Sequence, residues 1–483
     1  MIHLDYAAAP EAASLGRVRE RYQMFLGGEF VDGHGPDLVS VNPSDETTLS
    51  TVSSASAEDV NTAVRLARTA YEDVWSRLSG LERGKYLFRI ARGIAERSRE
   101  LAVLESLDNG KPIKETRDFD VPAAAQYFFS YAGWADKLQH LGYGPSPSAL
   151  GVAGQVIPWN FPLLMAAWKI APALAAGNTV VIKPAETTSL SILVLAEIMA
   201  DAGLPAGVVN VLPGAGDIGA ALVGHPGIDK VAFTGSTAVG KRIQTELAGT
   251  GRRLTLELGG KGANIVFDDA AVDQAVEGVV NGIFFNQGQV CCAGSRLLVQ
   301  ESVAEELLDR LRARVATLRV GHALDKNTDV GAVNSRAQLD KITALTESGV
   351  DEGAQRWVSP CPLPETGLYV APTILTDASP SMRVSREEIF GPVLTTLTFR
   401  TPEEAIAKAN NTPYGLSAGV WTDKGSRAMA VAGALRAGVV WNNTFNRFDP
   451  AAAFGGYGES GFGREGGPYG LAAYLDTDDE GVL

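Results

Sequence analysis

The chain has 483 residues, 45% hydrophobic and 20% charged, a globular composition too long for one core and suited to two or more domains. Its formal net charge of −14 argues against nucleic acid or an anionic membrane as a partner, because both attract a basic face. The three cysteines include the adjacent pair Cys291 and Cys292, which cannot bridge without straining the peptide between them, so no disulfide framework is readable and a reducing cytoplasm is the expected compartment. Residues 1–20 contain no apolar core of signal-peptide length. The apolar run 163–176 is broken by Lys169 and Pro172, so no membrane span is expected.

In chain order, residues 1–24 have scattered charge and no period, and are expected to form a loosely ordered arm. Residues 25–33, with Gly27 and Gly28 at the centre, predict a short hairpin. Ser56 followed by Glu58 and Asp59 predicts a helix N-cap, with the helix running to Tyr71. Apolar spacing over 81–107 predicts one long amphipathic helix or a pair, and 121–137 predicts another helix whose aromatics belong to the core. Residues 138–150, carrying Gly144-Pro145-Ser146-Pro147, predict a linker. Short apolar strands at 152–157, 179–183, 208–212 and 230–233 then alternate with helical stretches at 163–176, 188–202, 218–224 and 240–249. That alternation predicts a parallel sheet with helices on both faces. A second series runs from about 263 to 420, with strands such as 296–299 and 439–441. The reading is an α/β protein of two parallel-sheet lobes, with a site between them.

The chemistry centres on Phe285-Asn286-Gln287-Gly288-Gln289-Val290-Cys291-Cys292-Ala293-Gly294-Ser295-Arg296. A buried cysteine alone is usually a small hydrophobe. Here Gly288 and Gln289 precede Cys291, small residues follow it, and a carboxylate stands upstream in Leu256-Glu257-Leu258-Gly259-Gly260-Lys261. A thiolate is a strong nucleophile, and a carboxylate able to accept a proton is what a covalent mechanism needs next. Two glycine turns follow strands and open helices: Gly214-Ala215-Gly216-Asp217-Ile218-Gly219 and Gly235-Ser236-Thr237-Ala238-Val239-Gly240. Either helix N-terminus could hold a pyrophosphate, and either turn could equally need glycine for its backbone alone. No acidic residue closes the strand after the first turn, which holds Lys230 instead. Lys183 and Glu186, just past a strand end, are a donor and an acceptor suited to ribose hydroxyls.

These segments occur in one order over nearly the whole chain, together with Ile157-Pro158-Trp159-Asn160-Phe161-Pro162, Lys183-Pro184-Ala185-Glu186, Phe233-Thr234-Gly235-Ser236 and Glu387-Glu388-Ile389-Phe390-Gly391-Pro392. On them the sequence resembles the aldehyde dehydrogenase superfamily, in its NAD-dependent, hydrolytic branch. The resemblance implies that Cys291 attacks a small-molecule aldehyde to give a thiohemiacetal. The Asn160 side chain and the Cys291 N–H would stabilise the oxyanion. Hydride transfer to the nicotinamide would leave a thioester, hydrolysed by a water that Glu257 activates. It implies cofactor contacts at Ile157, Trp159, Lys183, Glu186, Gly216, Gly235, Ser236, Gly240, Glu388 and Phe390. The second glycine turn takes the phosphate, the first borders the adenosine pocket, and Lys183 with Glu186 binds the adenosine ribose. Glu186 would repel a 2′-phosphate, favouring NAD over NADP. No metal is implied.

Phe161, Trp168, Phe285, Phe448 and Phe454 match tunnel positions, implying an apolar aldehyde tail, although Arg447 and Asp449 flank Phe448 and could favour a polar one. Cys292 is assigned to packing and Cys361 has no assigned role. The implied organisation is a Rossmann-like NAD-binding domain over 1–137 and 150–258, a catalytic thiol domain over 259–458, and shortened oligomerisation or bridging elements at 138–149 and 459–483. Residues 138–150 are shorter than the family's usual arm. Residues 476–480 hold four acidic residues in five, a poor strand. These departures leave open a homodimer or a complex with an aldehyde-dehydrogenase-like partner chain. Gly458 stands where a lysine is more usual, which bears on substrate choice. Two other functions compete: a CoA-acylating dehydrogenase, against which Glu257 argues, and a non-catalytic binding or scaffold subunit, against which the joint presence of Cys291, Asn160 and Glu257 argues.

Overall fold

The computed structural model describes residues 7–142 and 147–476. The fold is α/β, built on two large sheets. In the first, the strands Arg253–Glu257, Lys230–Thr234, Val152–Val156, Thr179–Lys183 and Val209–Val211 lie side by side and parallel. Antiparallel strands border them: Gly461–Phe462 at one edge, and the hairpin Met24–Leu26 and Glu29–Val31 at the other. The second sheet orders Gln355–Val358, Thr373–Thr376, Val393–Phe399, Arg296–Gln300, Ala263–Val266, Ser417–Trp421 and Val439–Asn442. All pairs are parallel except the first. The expected parallel sheets are therefore parallel at their centres and mixed at their edges. The central strands are fully buried, which is why they appear in the sequence as short continuous apolar runs.

Local signals explain the elements. The hairpin turns on Gly27 and Gly28, at φ +62° and +93°, the two left-handed residues that a tight two-residue hairpin needs. Helix Ala57–Asp73 starts in a capping box: Ser56 Oγ accepts the Asp59 N–H, and the Asp59 carboxylate accepts the Ser56 N–H at 2.7 Å. The stretch 81–107 resolves into two helices, Gly80–Glu96 and Ser98–Asn109, broken at Arg97. Helix Val121–Trp134 packs on Gly80–Glu96 and on Pro162–Ala176, and the last is buried along its whole length.

Two expectations need correction. Within the expected loose arm, residues from 7 onward are docked. Turn Ala13–Gly16 packs on helix Ser98–Asn109, Arg21–Tyr22 pairs with Thr48–Val52, and Tyr22 is buried. Elements of two to four residues carry no period, so the pattern could not reveal them. Second, part of the stretch 138–150 is a strand. Ser148–Ala149 pairs antiparallel with Leu475–Asp476, and Asn178 Nδ2 fastens the junction by donating to the Tyr474 carbonyl at 2.8 Å. The acidic positions 478–480 and the segment 143–146 lie outside the described residues.

The edge strand Gly461–Phe462 frames the end of strand Arg253–Glu257. It sets Gly461 opposite Glu257 on one side, while Thr234 is opposite on the other. Gly461 has φ +104°, and a Cβ there would meet the Leu256 carbonyl at 2.0 Å, so the position requires glycine. Among the described residues no helix is long and apolar enough to cross a membrane.

Candidate active site

At one cleft of about 1030 Å³, counting its mouth, the segments leading into the second sheet's strands Arg296–Gln300 and Val393–Phe399 meet the C-terminal ends of the first sheet's central strands. Ligands of α/β proteins collect at such strand ends. The first sheet contributes the loop after Val152–Val156, which carries Trp159, Asn160 and Phe161, and the turn Thr234–Ser236. The second contributes Val290, Cys291 and Cys292, then Glu388 and Phe390.

Cys291 is half-buried. It follows an elbow in which Asn286, Gln287 and Gly288 have φ of +48°, +53° and +72°. At Gly288 a Cβ would stand 2.1 Å from the Gly391 carbonyl oxygen and 2.9 Å from that of Ile283. Gly288→Ala therefore combines a left-handed strain with a backbone clash. It is expected to destabilise the protein by about 1–3 kcal/mol, read as a lower denaturant midpoint. An unchanged midpoint would contradict the geometry.

Asn160 is buried and its Nδ2 donates to the Gln289 carbonyl at 2.8 Å, which holds the amide beside the elbow and on the cleft wall. The Cys291 thiol is pushed well above its ordinary range, first by its hydrogen bond with Cys292 and then by burial, with the Glu388 charge adding to both. Cys292 thus does more than pack. It lines the cleft beside Cys291, and its carbonyl accepts from Ser417 Oγ at 2.7 Å.

Glu257 ends strand Arg253–Glu257, behind the cleft-wall residues Thr234, Leu258 and Gly259. It is buried, and neither carboxyl oxygen has a protein partner. Burial raises its proton affinity well above the carboxylate norm. Glu465 and the Cys291 charge push the same way, while Lys169 opposes them. Lys169, itself fully buried, is ion-paired with Glu465. Sequence reasoning missed this pair. Lys169 had appeared only as the residue interrupting an apolar run, and Glu465 lies 296 positions away.

The remaining expected residues divide. Phe161, Trp168, Phe448 and Phe454 line the cleft. Phe285 does not; it stands one layer back, stacked on Phe161 at 6.0 Å between ring centroids. Phe119 takes the wall position, meeting Phe285 edge-on at 5.4 Å and Phe448 at 5.8 Å. Tyr127, assigned to the core from its helical spacing, is buried and also reaches the wall.

Gly235, Ser236, Trp159, Glu388 and Phe390 line the cleft, with Trp159 and Phe390 at 5.3 Å and nearly perpendicular. Glu388 Oε1 accepts the Gly260 N–H at 2.9 Å, and burial raises its proton affinity. Ser236 caps helix Thr237–Leu247. Gly240 is off the wall, and a Cβ there would meet the end of the Leu258 side chain at 2.5 Å. Lys183 and Glu186 lie 3.6 Å apart at the end of strand Thr179–Lys183, with Glu186 exposed, and Gly216 opens helix Gly216–Gly224. Ile157 is buried behind the wall, its N–H bonded to the Lys183 carbonyl. Among the described residues no cluster of His, Cys, Asp or Glu could hold a metal ion.

Comparison with known proteins agrees with this geometry. A family model described as "Aldehyde dehydrogenase family" matches residues 30–479. An aldehyde dehydrogenase of Aspergillus niger is 45% identical, over 93% of this chain and 93% of its own. Human retinal dehydrogenase 2 is 44% identical, over 94% and 90%. The NAD+ complex of an aldehyde dehydrogenase from Bacillus cereus superposes with a TM-score of 0.93, at 42% identity, covering 97% of this chain and 98% of that one. A left-handed elbow leading to Cys291, a buried carboxyl group and an aromatic cleft thus coincide with similarity over nearly the whole chain, and the chain belongs to the aldehyde dehydrogenase family.

Proposed function

We propose that the protein oxidises an aldehyde to a carboxylic acid, with NAD+ as hydride acceptor. The observation that carries this reading is the placing of three groups at one cleft: the Cys291 thiol and the Asn160 amide on its wall, and, directly behind that wall, the Glu257 carboxyl with both oxygens unpartnered. Cys291 is the nucleophile. The second N–H of Asn160 Nδ2 and the Cys291 backbone N–H are the donors for the oxyanion. The Cys291 thiolate and the Glu257 carboxylate repel, so one negative charge is favoured between them. Passing the thiol proton to an ionised Glu257 keeps that count, which makes Glu257 the natural base for thiol activation as well as for water attack on the thioester.

The residues present fit a dinucleotide. Gly235 and Ser236 begin a helix on the wall, and Thr234 Oγ1 beside them is buried without a partner. Lys183 with Glu186 would hold one ribose, and Glu388 with Phe390 the other. When bound, NAD+ supplies the hydride acceptor. The Bacillus cereus relative, solved with NAD+, supports this choice. Preference over NADP rests on the exposed Glu186 carboxylate. Glu186→Gln should narrow the NAD/NADP ratio of kcat/KM by roughly three- to tenfold, through loss of one like-charge repulsion. An identical ratio would count against the assignment. The wall residues Phe161, Phe119, Tyr127 and Trp168 favour an apolar or aromatic aldehyde.

The test is NADH formation by purified protein over aliphatic, aromatic and charged aldehydes, with product analysis in the presence and absence of CoA. The expected product is the free acid in both. An acyl-CoA product would favour the acylating branch, and NAD+ binding without turnover of any aldehyde would favour a binding subunit.

A further inference from the structure

Glu115 closes the short helix Ile113–Glu115 and is buried. Its Oε2 accepts the backbone N–H of Asn286 at 2.9 Å, across 171 positions of sequence. Asn286 is the first of the three left-handed residues of the elbow, and it and Gln287 are not glycine, so this turn holds only where its surroundings over-determine it. The Asn286 side chain extends the tie: Nδ2 donates to the Asn160 carbonyl at 2.8 Å and to the Gln289 carbonyl at 3.2 Å, and Asn160 Nδ2 donates to the same Gln289 oxygen. One buried carboxyl group is therefore bonded, through a single residue, to both the turn that leads to Cys291 and the backbone of Asn160. Glu115 is itself braced. The next residue, Thr116, bonds Ser106 and the Ala102 carbonyl, and Lys111 is ion-paired with Asp120 at 2.5 Å in the same buried cluster.

We propose that Glu115 is a positioning residue: its carboxyl oxygen fixes the Asn286 amide and so holds the left-handed turn that sets the Cys291 thiol against the Asn160 amide. This inference rests on the reading of Cys291 as the nucleophile. What the bond requires is an acceptor at the right reach. Burial pushes the Glu115 carboxyl up to about 8, so near neutral pH it is largely uncharged and still accepts. Glu115→Gln keeps reach and acceptor in an amide, whereas Glu115→Asp keeps the carboxyl group and loses reach.

In the full-length protein, kcat is measured for Glu115→Gln, Glu115→Asp and Glu115→Ala, alongside the rate at which iodoacetamide alkylates Cys291, followed by mass spectrometry with Cys361 as internal reference. Glu115→Asp and Glu115→Ala are expected to lower kcat by about tenfold or more, with KM for NAD+ nearly unchanged and alkylation of Cys291 altered, because sub-ångström misplacement is costly at a reacting centre. Glu115→Gln should stay close to wild type. Full activity in Glu115→Asp overturns the proposal, as does a Glu115→Gln variant as impaired as Glu115→Ala. A purely structural role would lower unfolding midpoints and leave kcat per titrated site intact, which also overturns it. If Glu115→Ala does not fold, the contrast between Gln and Asp decides. Cys291→Ser run in parallel separates two failures. Turnover surviving there removes the nucleophile reading and this inference with it; turnover lost there but untouched in Glu115→Asp removes this inference alone.

Discussion

Cys291→Ser is expected to lower NADH formation by about 10³-fold or more, for every aldehyde that the wild type accepts. The substitution is nearly isosteric, so NAD+ affinity and the unfolding midpoint should be unchanged. What is lost is the nucleophile. A hydroxyl is far harder to ionise than a thiol, and this environment already resists charge, since burial and Cys292 push even the Cys291 thiol up. Cys292 is no substitute. It is buried and its carbonyl is fixed by Ser417 Oγ, so taking over would require rebuilding the segment after the elbow. Turnover within about tenfold of wild type would remove the covalent mechanism.

The second large effect falls on Glu257→Gln. Steady-state kcat should drop by about 10²–10⁴-fold, the range for a lost general base. The acyl group should then accumulate on Cys291, visible as a mass increment on the peptide that carries it. The pH profile supplies an independent check. Only the ionised carboxylate accepts a proton, and burial and Glu465 raise its proton affinity. The wild-type rate must therefore climb as pH rises through that elevated pKa, well above the usual carboxylate range. It must fall as pH is lowered, because the acid form takes over. In Glu257→Gln that dependence should flatten, leaving any limb that Cys291 imposes. A wild-type rate that increases on acidification would refute the assignment of Glu257 as base.

Much of this was legible in the sequence because the proposed nucleophile, base and oxyanion donor each sit in a short run of unusual residues next to a strand. Cys291, Glu257 and Asn160 could be named from their neighbours, and the strand–helix alternation gave the α/β fold. What stayed hidden depends on pairs remote in sequence. Lys169 and Glu465 are ordinary charged residues until the fold buries them together. Glu115 is unremarkable until the fold sets it beneath Asn286. Phe119 went unnoticed as a wall residue because side-chain direction within a five-residue π-helix, Thr116–Asp120, does not follow from helical spacing. At Gly240 close helix packing and anion binding both ask for glycine, so the residue alone does not separate them.

The edge strand Gly461–Phe462 has a consequence for biosynthesis. It pairs with Glu257, and Glu465 just beyond it tunes that carboxyl group, yet both lie about as far beyond Cys291 in sequence as Glu115 lies before it. Chains fold from the N-terminus as they leave the ribosome. A nascent chain that has released residues 285–296 exposes its thiol while the base is still unframed. The sheet edge beside Glu257 is closed only when residues 461–465 have emerged as well.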